Sequence, residues 1–158
     1  RDAPLRNDAR YKRVDLFTDQ MDIVLPADHP LATPEHQAGG LRLERLAGER
    51  WVSSAPTDPC SMITTAVCAV AGFSPDIRHH TQEWDAAAAL VAAGAGVALV
   101  PRLAQPLRPS GLVTVPVLGS AASRLIFAIT RAGVQSSPPA FTVLEALVQV
   151  AAERPDAA

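Results

Sequence analysis

Leu90-Val91-Ala92-Ala93-Gly94-Ala95-Gly96-Val97-Ala98-Leu99-Val100-Pro101 is the stretch that decides how this chain folds. The run from Glu83 to Ala93 predicts a helix that Gly94 stops, and Val97 to Val100 predicts a strand halted by Pro101. The whole apolar stretch, Ala86 to Val100, is too short and too interrupted by Gly94 and Gly96 to span a bilayer, and Trp84-Asp85 and Pro101-Arg102 flank it. A soluble chain follows.

Upstream, Asp76 to His80 reads as a strand and Trp51-Val52-Ser53-Ser54 as a buried one. The best-punctuated helix lies between them. Asp58 can cap it, Pro59 suits its first position, and Gly72 suits its left-handed end, with Phe73 placed to close a Schellman motif. Met62, Ile63, Ala66, Val67 and Val70 recur at helical spacing and are expected to form its buried face. Further upstream, Val14–Phe17 and Met21–Leu25 read as two short strands around Thr18-Asp19-Gln20. Pro26 to Pro30 ends the second, Thr33 to Gly40 reads as loop, and Leu43 to Leu46 as a short helical turn. Residues 1–13 are polar and irregular and expected to fray. Downstream, Leu112–Val117 and Arg124–Thr130 read as strands. A last helix is capped by Ser137, carries Pro138 and Pro139 in its first turn and Phe141, Leu144, Val148 and Ala151 along one side, and is ended by Pro155. Alternating strands and helices of these lengths predict an α/β fold, a mostly parallel sheet covered by helices.

The chain has 158 residues, room for one domain or two small lobes, and nearly half are apolar, enough for a real core. A net charge of -2 with acids and bases interspersed leaves no basic face to neutralise phosphates, so any DNA contacts must come from residues outside this sequence. Two cysteines make no disulfide framework. The start, Arg1-Asp2-Ala3, has neither an initiator Met nor an apolar signal segment, which suggests a cleavage product or a fragment.

The order of segments resembles the effector-binding (substrate-binding) domain of LysR-type transcription regulators. Asp22-Ile23-Val24-Leu25-Pro26-Ala27-Asp28-His29-Pro30-Leu31-Ala32 is similar to that family's crossover strand and turn. Leu41-Arg42-Leu43-Glu44-Arg45-Leu46 with Arg50-Trp51-Val52 resembles its short helix and next strand. Ala71-Gly72-Phe73-Ser74-Pro75-Asp76-Ile77 matches the following helix end and strand, and Leu90–Pro101 its two-glycine turn. The resemblance runs from about residue 14 to 153. It implies a two-lobed, type 2 periplasmic-binding-protein-like fold with Rossmann-like lobes. Residues 27–117 would form one complete lobe, and 14–26 with 118–153 the later parts of another. The winged helix-turn-helix, the linker helix and the opening of the first lobe would lie outside the sequence. Arg124–Thr130 and the last helix agree with this, because their apolar faces have too few local partners. The resemblance further implies a bacterial, cytoplasmic sensor rather than an enzyme, with DNA reached only through the absent N-terminal domain, as a homodimer or homotetramer.

In open parallel sheets, ligands sit beyond the carboxyl ends of strands, where helices begin. Two helix starts should face that crevice: one after Ser53-Ser54, and one after Thr81-Gln82. Each offers backbone N–H groups and the positive end of a helix dipole, suited to a small carboxylate-bearing metabolite held in the inter-lobe cleft. The expected effector-binding residues are Ser53, Ser54, Thr57, Cys60, Ser61, Gln82, Trp84 and Pro101. Serines and threonines before helices also serve as plain caps, and Trp84 can equally anchor its helix to the sheet. Effector binding would act by shifting the relative angle of the lobes.

No catalytic residue, metal site or cofactor is expected. Tandem His79-His80 would point to opposite faces of a strand, neither Glu83 nor Asp85 completes a ligand spacing, and His29 and His36 lie in loop-like segments. Gly94-Ala95-Gly96 is no dinucleotide fingerprint, since it follows a helix, precedes a strand, and has Leu99 in the third glycine position. Two other readings stand beside the main one. A solute-binding protein of a transporter shares the architecture. A redox-sensing regulator of the same family would use Cys60 and Cys68, although eight helical residues rise about 12 Å against a bridging limit of about 7 Å. Cys60, near a helix N-terminus, is the more reactive candidate of the two.

Overall fold

The computed structural model describes residues 8–104, 110–119, 122–133 and 138–154. Among the described residues are six strands and four α-helices: β1 (Tyr11–Pro26), α1 (Pro34–Gly39), β2 (Arg50–Ser53), α2 (Pro59–Val70), β3 (Asp76–His80), α3 (Trp84–Ala92), β4 (Val97–Pro101), β5 (Leu112–Pro116), β6 (Ser123–Arg131) and α4 (Pro138–Ala152). They fall into two compact units. The larger is Gln20–Arg124; the smaller comprises Arg1–Asp19 with Leu125–Ala158.

In the larger unit the strand order is β3-β2-β4-β1-β5. β2 runs parallel to β3 and β4, while β1 is antiparallel to both β4 and β5. The sheet is therefore mixed, with its parallel part confined to three strands, where the sequence predicts one mostly parallel. Alternation explains its two-sided burial. Met21, Ile23, Leu25, Trp51, Val97 and Leu99 face one way, packed with Leu43, Leu46 and Cys68. Val24, Val52, Ala98 and Val100 face the other, packed with Ala87 and Val91 of α3. Strands covered on both faces read as unbroken apolar runs, as Val97–Val100 does. Trp51 is fully buried beside Phe73, its ring centroid 6.2 Å away.

Several local expectations change. Tyr11–Pro26 is one long strand, not two short ones, and it takes in residues 11–13, which were expected to fray; residues 1–7 of that expected segment lie outside the described residues. Its Met21–Val24 portion pairs with β4 and its Asp22–Pro26 portion with β5, which draws Gln20–Pro26 into the larger unit; Leu118–Arg124 groups there too. The segment read as loop holds α1, because the Thr33 hydroxyl accepts the His36 N–H, Pro34 opens the helix and Gly40 ends it. That helix is barely one and a half turns, too short for periodicity to reveal. His36 and His29 also have partners: His36 Nδ1 lies 3.0 Å from the Leu31 carbonyl, and His29 Nε2 lies 3.3 Å from Glu49.

α2 ends as its sequence predicts. Gly72 takes φ +85°, its N–H bonds the Ala69 carbonyl, and the Phe73 N–H bonds the Cys68 carbonyl. Its buried face differs. Ser61, Thr64 and Cys68 point inward, with Cys60, Ile63 and Val67 partly buried, whereas Met62 and Val70 are exposed. Ala66 is exposed as well, so of the expected face only Ile63 and Val67 turn partly inward, beside Ser61, Thr64 and Cys68, which hydropathic spacing did not mark.

In the smaller unit β6 pairs with β1, and Ala132 N–H donates to the Arg10 carbonyl. Along α4 only Ala151 of the expected stripe is buried. Leu144 is half-buried, and Phe141 and Val148 are exposed. Ile129, Val143, Leu144 and Leu147 line an open apolar groove of about 410 Å³. The expected cap Ser137 and the terminator Pro155 lie outside the described residues. Among the described residues, no helix is long and apolar enough to cross a membrane.

Candidate functional site

The parallel pairing of β2 and β3 puts Ser53 opposite His80, and Thr81 N–H donates to the Ser53 carbonyl at 3.0 Å. The two strand ends are thus neighbours, and each leads into a helix: α2 from one face of the sheet, α3 from the other. Between them lies a small pocket lined by Val52, Ser53, Ser54, Cys60, Thr64, Thr81, Trp84, Ala87, Ala98 and Leu99. Its enclosed space is about 10 Å³, room for roughly one water molecule. A ligand would have to widen it or lie across its mouth.

Of the eight residues expected from sequence, Ser53, Ser54, Cys60 and Trp84 line this pocket. Thr57 and Gln82 are exposed, Ser61 is buried under α2, and Pro101 is buried at the end of β4; none of these four is among the described lining residues. Thr64 and Thr81 are the hydroxyl residues that sequence reasoning missed. Thr64 was hidden because it lies one turn inside α2, its Oγ1 bonding back to the Cys60 carbonyl.

The start of α2 is already occupied by an acid. Asp58 Oδ1 accepts the Cys60 N–H at 2.8 Å and the Ser54 hydroxyl at 2.9 Å. A carboxylate in that position offsets the helix dipole, so the bare helix N-terminus is not the anion seat expected from the sequence. His80 Nδ1 meets the Ser54 carbonyl at 2.9 Å and holds the β2 end against β3. At α3, Thr81 rather than the N-cap residue Glu83 supplies the side-chain contact, its Oγ1 accepting the Glu83 N–H at 3.2 Å.

A residue not singled out in the sequence comes up beside Cys60. Arg124 brings Nη1 to 3.8 Å from Cys60 Sγ. It arrives there because Met21 N–H bonds the Ala122 carbonyl at 2.8 Å, which ties the start of β6 to the β1 segment beside β4. The separation of 64 residues between Arg124 and Cys60 leaves no local pattern to find it by.

The two thiols differ sharply. Cys60 is half-buried at the pocket, while Cys68 is fully buried and desolvation pushes its thiol up to about 12. Both lie on the unbroken α2, so no bridge between them fits the folded chain. Among the described residues no group of three or more His, Cys, Asp or Glu could hold a metal ion.

Comparison with known proteins adds the following. The model of the LysR substrate binding domain family matches residues 1–152. The HTH-type transcriptional regulator CatR of Pseudomonas putida is 34% identical over 121 residues, 75% of this chain and 40% of CatR. The effector binding domain of BenM, solved with its effector benzoate, superposes with a TM-score of 0.76 at 27% identity, covering 94% of this chain and 68% of that one. The CcmR regulatory domain of Synechocystis PCC6803, solved with 2-PG, gives 0.77 at 15% identity over 93% of this chain and 70% of that one, a likeness of fold. The chain spans two fifths or less of the length of the curated relatives it matches. The α/β, type 2 periplasmic-binding-protein-like class expected from the sequence is the one that these solved domains share with it.

Proposed function

The chain belongs to the LysR substrate binding domain family, and from that premise we propose that it senses a small carboxylate-bearing metabolite for a DNA-binding transcription regulator. The observation that carries the reading is the meeting of Ser53, Ser54, Thr81 and Trp84 at the adjacent carboxyl ends of β2 and β3. Hydroxyls of Ser53, Ser54 and Thr81 in one lining with the Trp84 indole and the apolar Ala87, Ala98 and Leu99 suit a molecule with a polar head and an apolar body. Benzoate, the effector with which the BenM domain was solved, has that chemistry. Ser53, Ser54, Cys60 and Trp84 are retained from the sequence-based set, and Thr81 joins them.

The same reading gives the whole regulator a winged helix-turn-helix ahead of this chain, no catalytic step, a cytoplasmic location, and assembly as a homodimer or homotetramer. Residues ahead of Arg1 would complete the smaller unit and cover the apolar groove beside α4. Footprinting and sedimentation of the whole protein check these points.

A thermal-shift screen of small organic acids tests the sensing role. An acid at about a hundredfold its Kd adds roughly 2.7 kcal/mol, which raises Tm by roughly 5–10 °C for a chain of this size. Ser54→Ala and Trp84→Ala should each remove most of that rise, and Thr57→Ala, at an exposed position off the pocket, should keep it. A panel with no stabilising acid, or a rise that survives both pocket substitutions, would reject the reading.

A further inference from the structure

We propose that the strand-end pocket reads a hydrogen-bond donor on its ligand, so that the effector carries a hydroxyl or amino group besides its carboxylate. The proposal rests on the reading of the pocket as an effector seat and names the group that enters it. What decides the matter is where the hydroxyl protons of the lining already point. The Ser54 hydroxyl donates to Asp58 Oδ1 at 2.9 Å, and the Thr64 hydroxyl donates to the Cys60 carbonyl at 3.0 Å. Carboxylate and carbonyl oxygens only accept, so neither proton can turn to a ligand without giving up a bond inside the protein. Thr81 is engaged as well, its Oγ1 accepting the Glu83 N–H at 3.2 Å and facing the Glu83 carbonyl at 3.4 Å. Ser54 and Thr64 are 8% and 3% exposed, and among the described residues nothing donates to either hydroxyl oxygen. Each offers a guest a lone pair and no proton. Ser53, half-buried and with no side-chain bond among the described residues, can give or take.

Charge points the same way. Asp58 stands behind Ser54, Glu83 is the N-cap residue of α3, and Asp85 lies in its first turn. Against these three carboxylates Arg124, beside Cys60, sets one positive charge, and His80 turns its Nδ1 to the Ser54 carbonyl. A carboxylate head would meet like charge and oxygens with no proton to share. A hydroxyl or amino group meets neither obstacle. The space fits too: about 10 Å³ takes one polar atom, with the rest of the ligand lying across the mouth. Water donates in such a place as well as a hydroxyl does, so a ligand group without a proton loses bonds when it displaces water.

Calorimetric titration of the whole protein with matched acids tests this. The probes are benzoate and phenylacetate, each with its ring-hydroxy, ring-amino and ring-fluoro derivatives. Every probe carries one carboxylate, and fluorine is near a hydroxyl in size but has no proton. At the ring position that reaches the seat, the hydroxy or amino acid should bind about tenfold tighter than the fluoro acid and the parent, the size of one net hydrogen bond. Thr64→Val removes an accepting oxygen and Asp58→Ala releases the Ser54 proton, so each should bring the hydroxy-over-fluoro ratio severalfold closer to one. A merely loosened fold would weaken both acids alike and leave that ratio unchanged. A ratio near one at every ring position, in acids that bind, overturns the proposal and leaves the effector seat standing. A preference that both substitutions leave intact overturns it equally; should a variant fail to fold, the other variant and the unsubstituted protein decide. If no acid of either series binds, or the tightest binds Trp84→Ala equally well, the effector-seat reading itself fails.

Discussion

Gly96→Ala is expected to cost about 3–5 kcal/mol of folding stability, seen as a large fall in the urea midpoint with little change in slope. Gly96 opens the turn into β4 with φ +155°, and a Cβ built there would lie 2.4 Å from the Arg50 carbonyl oxygen. That oxygen belongs to the backbone of β2 and cannot swing aside as a side chain could. Relief requires β4 to move from β2, which breaks the Trp51–Val97 and Val52–Ala98 pairing at the centre of the parallel sheet. Gly94→Ala separates this close approach from simple conformational preference. Gly94 also has positive φ, +75°, but nothing lies within 4 Å of its added Cβ, so about 1–2 kcal/mol is expected. Equal losses at the two positions, or a loss below about 1 kcal/mol at Gly96, would contradict the packing argument.

Arg102→Met is expected to cost roughly 2–4 kcal/mol. Arg102 grips Asp22 with two bonds, Nε to Oδ2 at 2.9 Å and Nη2 to Oδ1 at 3.0 Å. The Asp22 side chain is only 8% exposed and that of Arg102 33%. Removing the cation strips a buried carboxylate of both bonds, which costs far more than a surface pair is worth. The exposure of Arg102 lets solvent reach part of the site, hence the lower end of the range. Asp22→Leu with Arg102→Met should be less destabilised than Arg102→Met alone, because the stranded charge is gone. An Arg102→Met chain within about 1 kcal/mol of the parent would show that the pair carries little. The pair also has a functional bearing. Asp22 sits opposite Val100 and Arg102 directly follows Pro101, so this contact fastens β1 to the end of β4.

What could be read from the chain and what could not divide along a physical line. Short-range chemistry was legible: the Asp58 cap, Pro59, and the Gly72-Phe73 ending of α2 are each set by neighbours within one turn, and they lie where the sequence put them. Asp76–His80 is β3 to the residue. Tertiary choices were not legible. The inward face of α2 centres on Ser61, Thr64 and Cys68, and its two hydroxyl residues carry no hydropathic mark of burial. β1 runs unbroken through Thr18-Asp19-Gln20, and the partner of its Met21–Val24 portion is a strand nearly eighty residues away in sequence, which no local pattern names. The candidate site follows the same rule. Ser53, Ser54, Cys60 and Trp84 could be named from strand ends and helix starts, whereas Arg124 comes beside Cys60 only through the fold.

The most direct test is a 15N-labelled titration with the strongest acid from the stabilisation screen, read amide by amide. The account predicts that the largest shifts gather at Ser53, Ser54, Cys60 and Thr81 through Trp84. Changes centred instead on α4, or on the outward side of α2 around Met62 and Val70, would mean that the ligand sits elsewhere and that the strand-end pocket is only a packing detail.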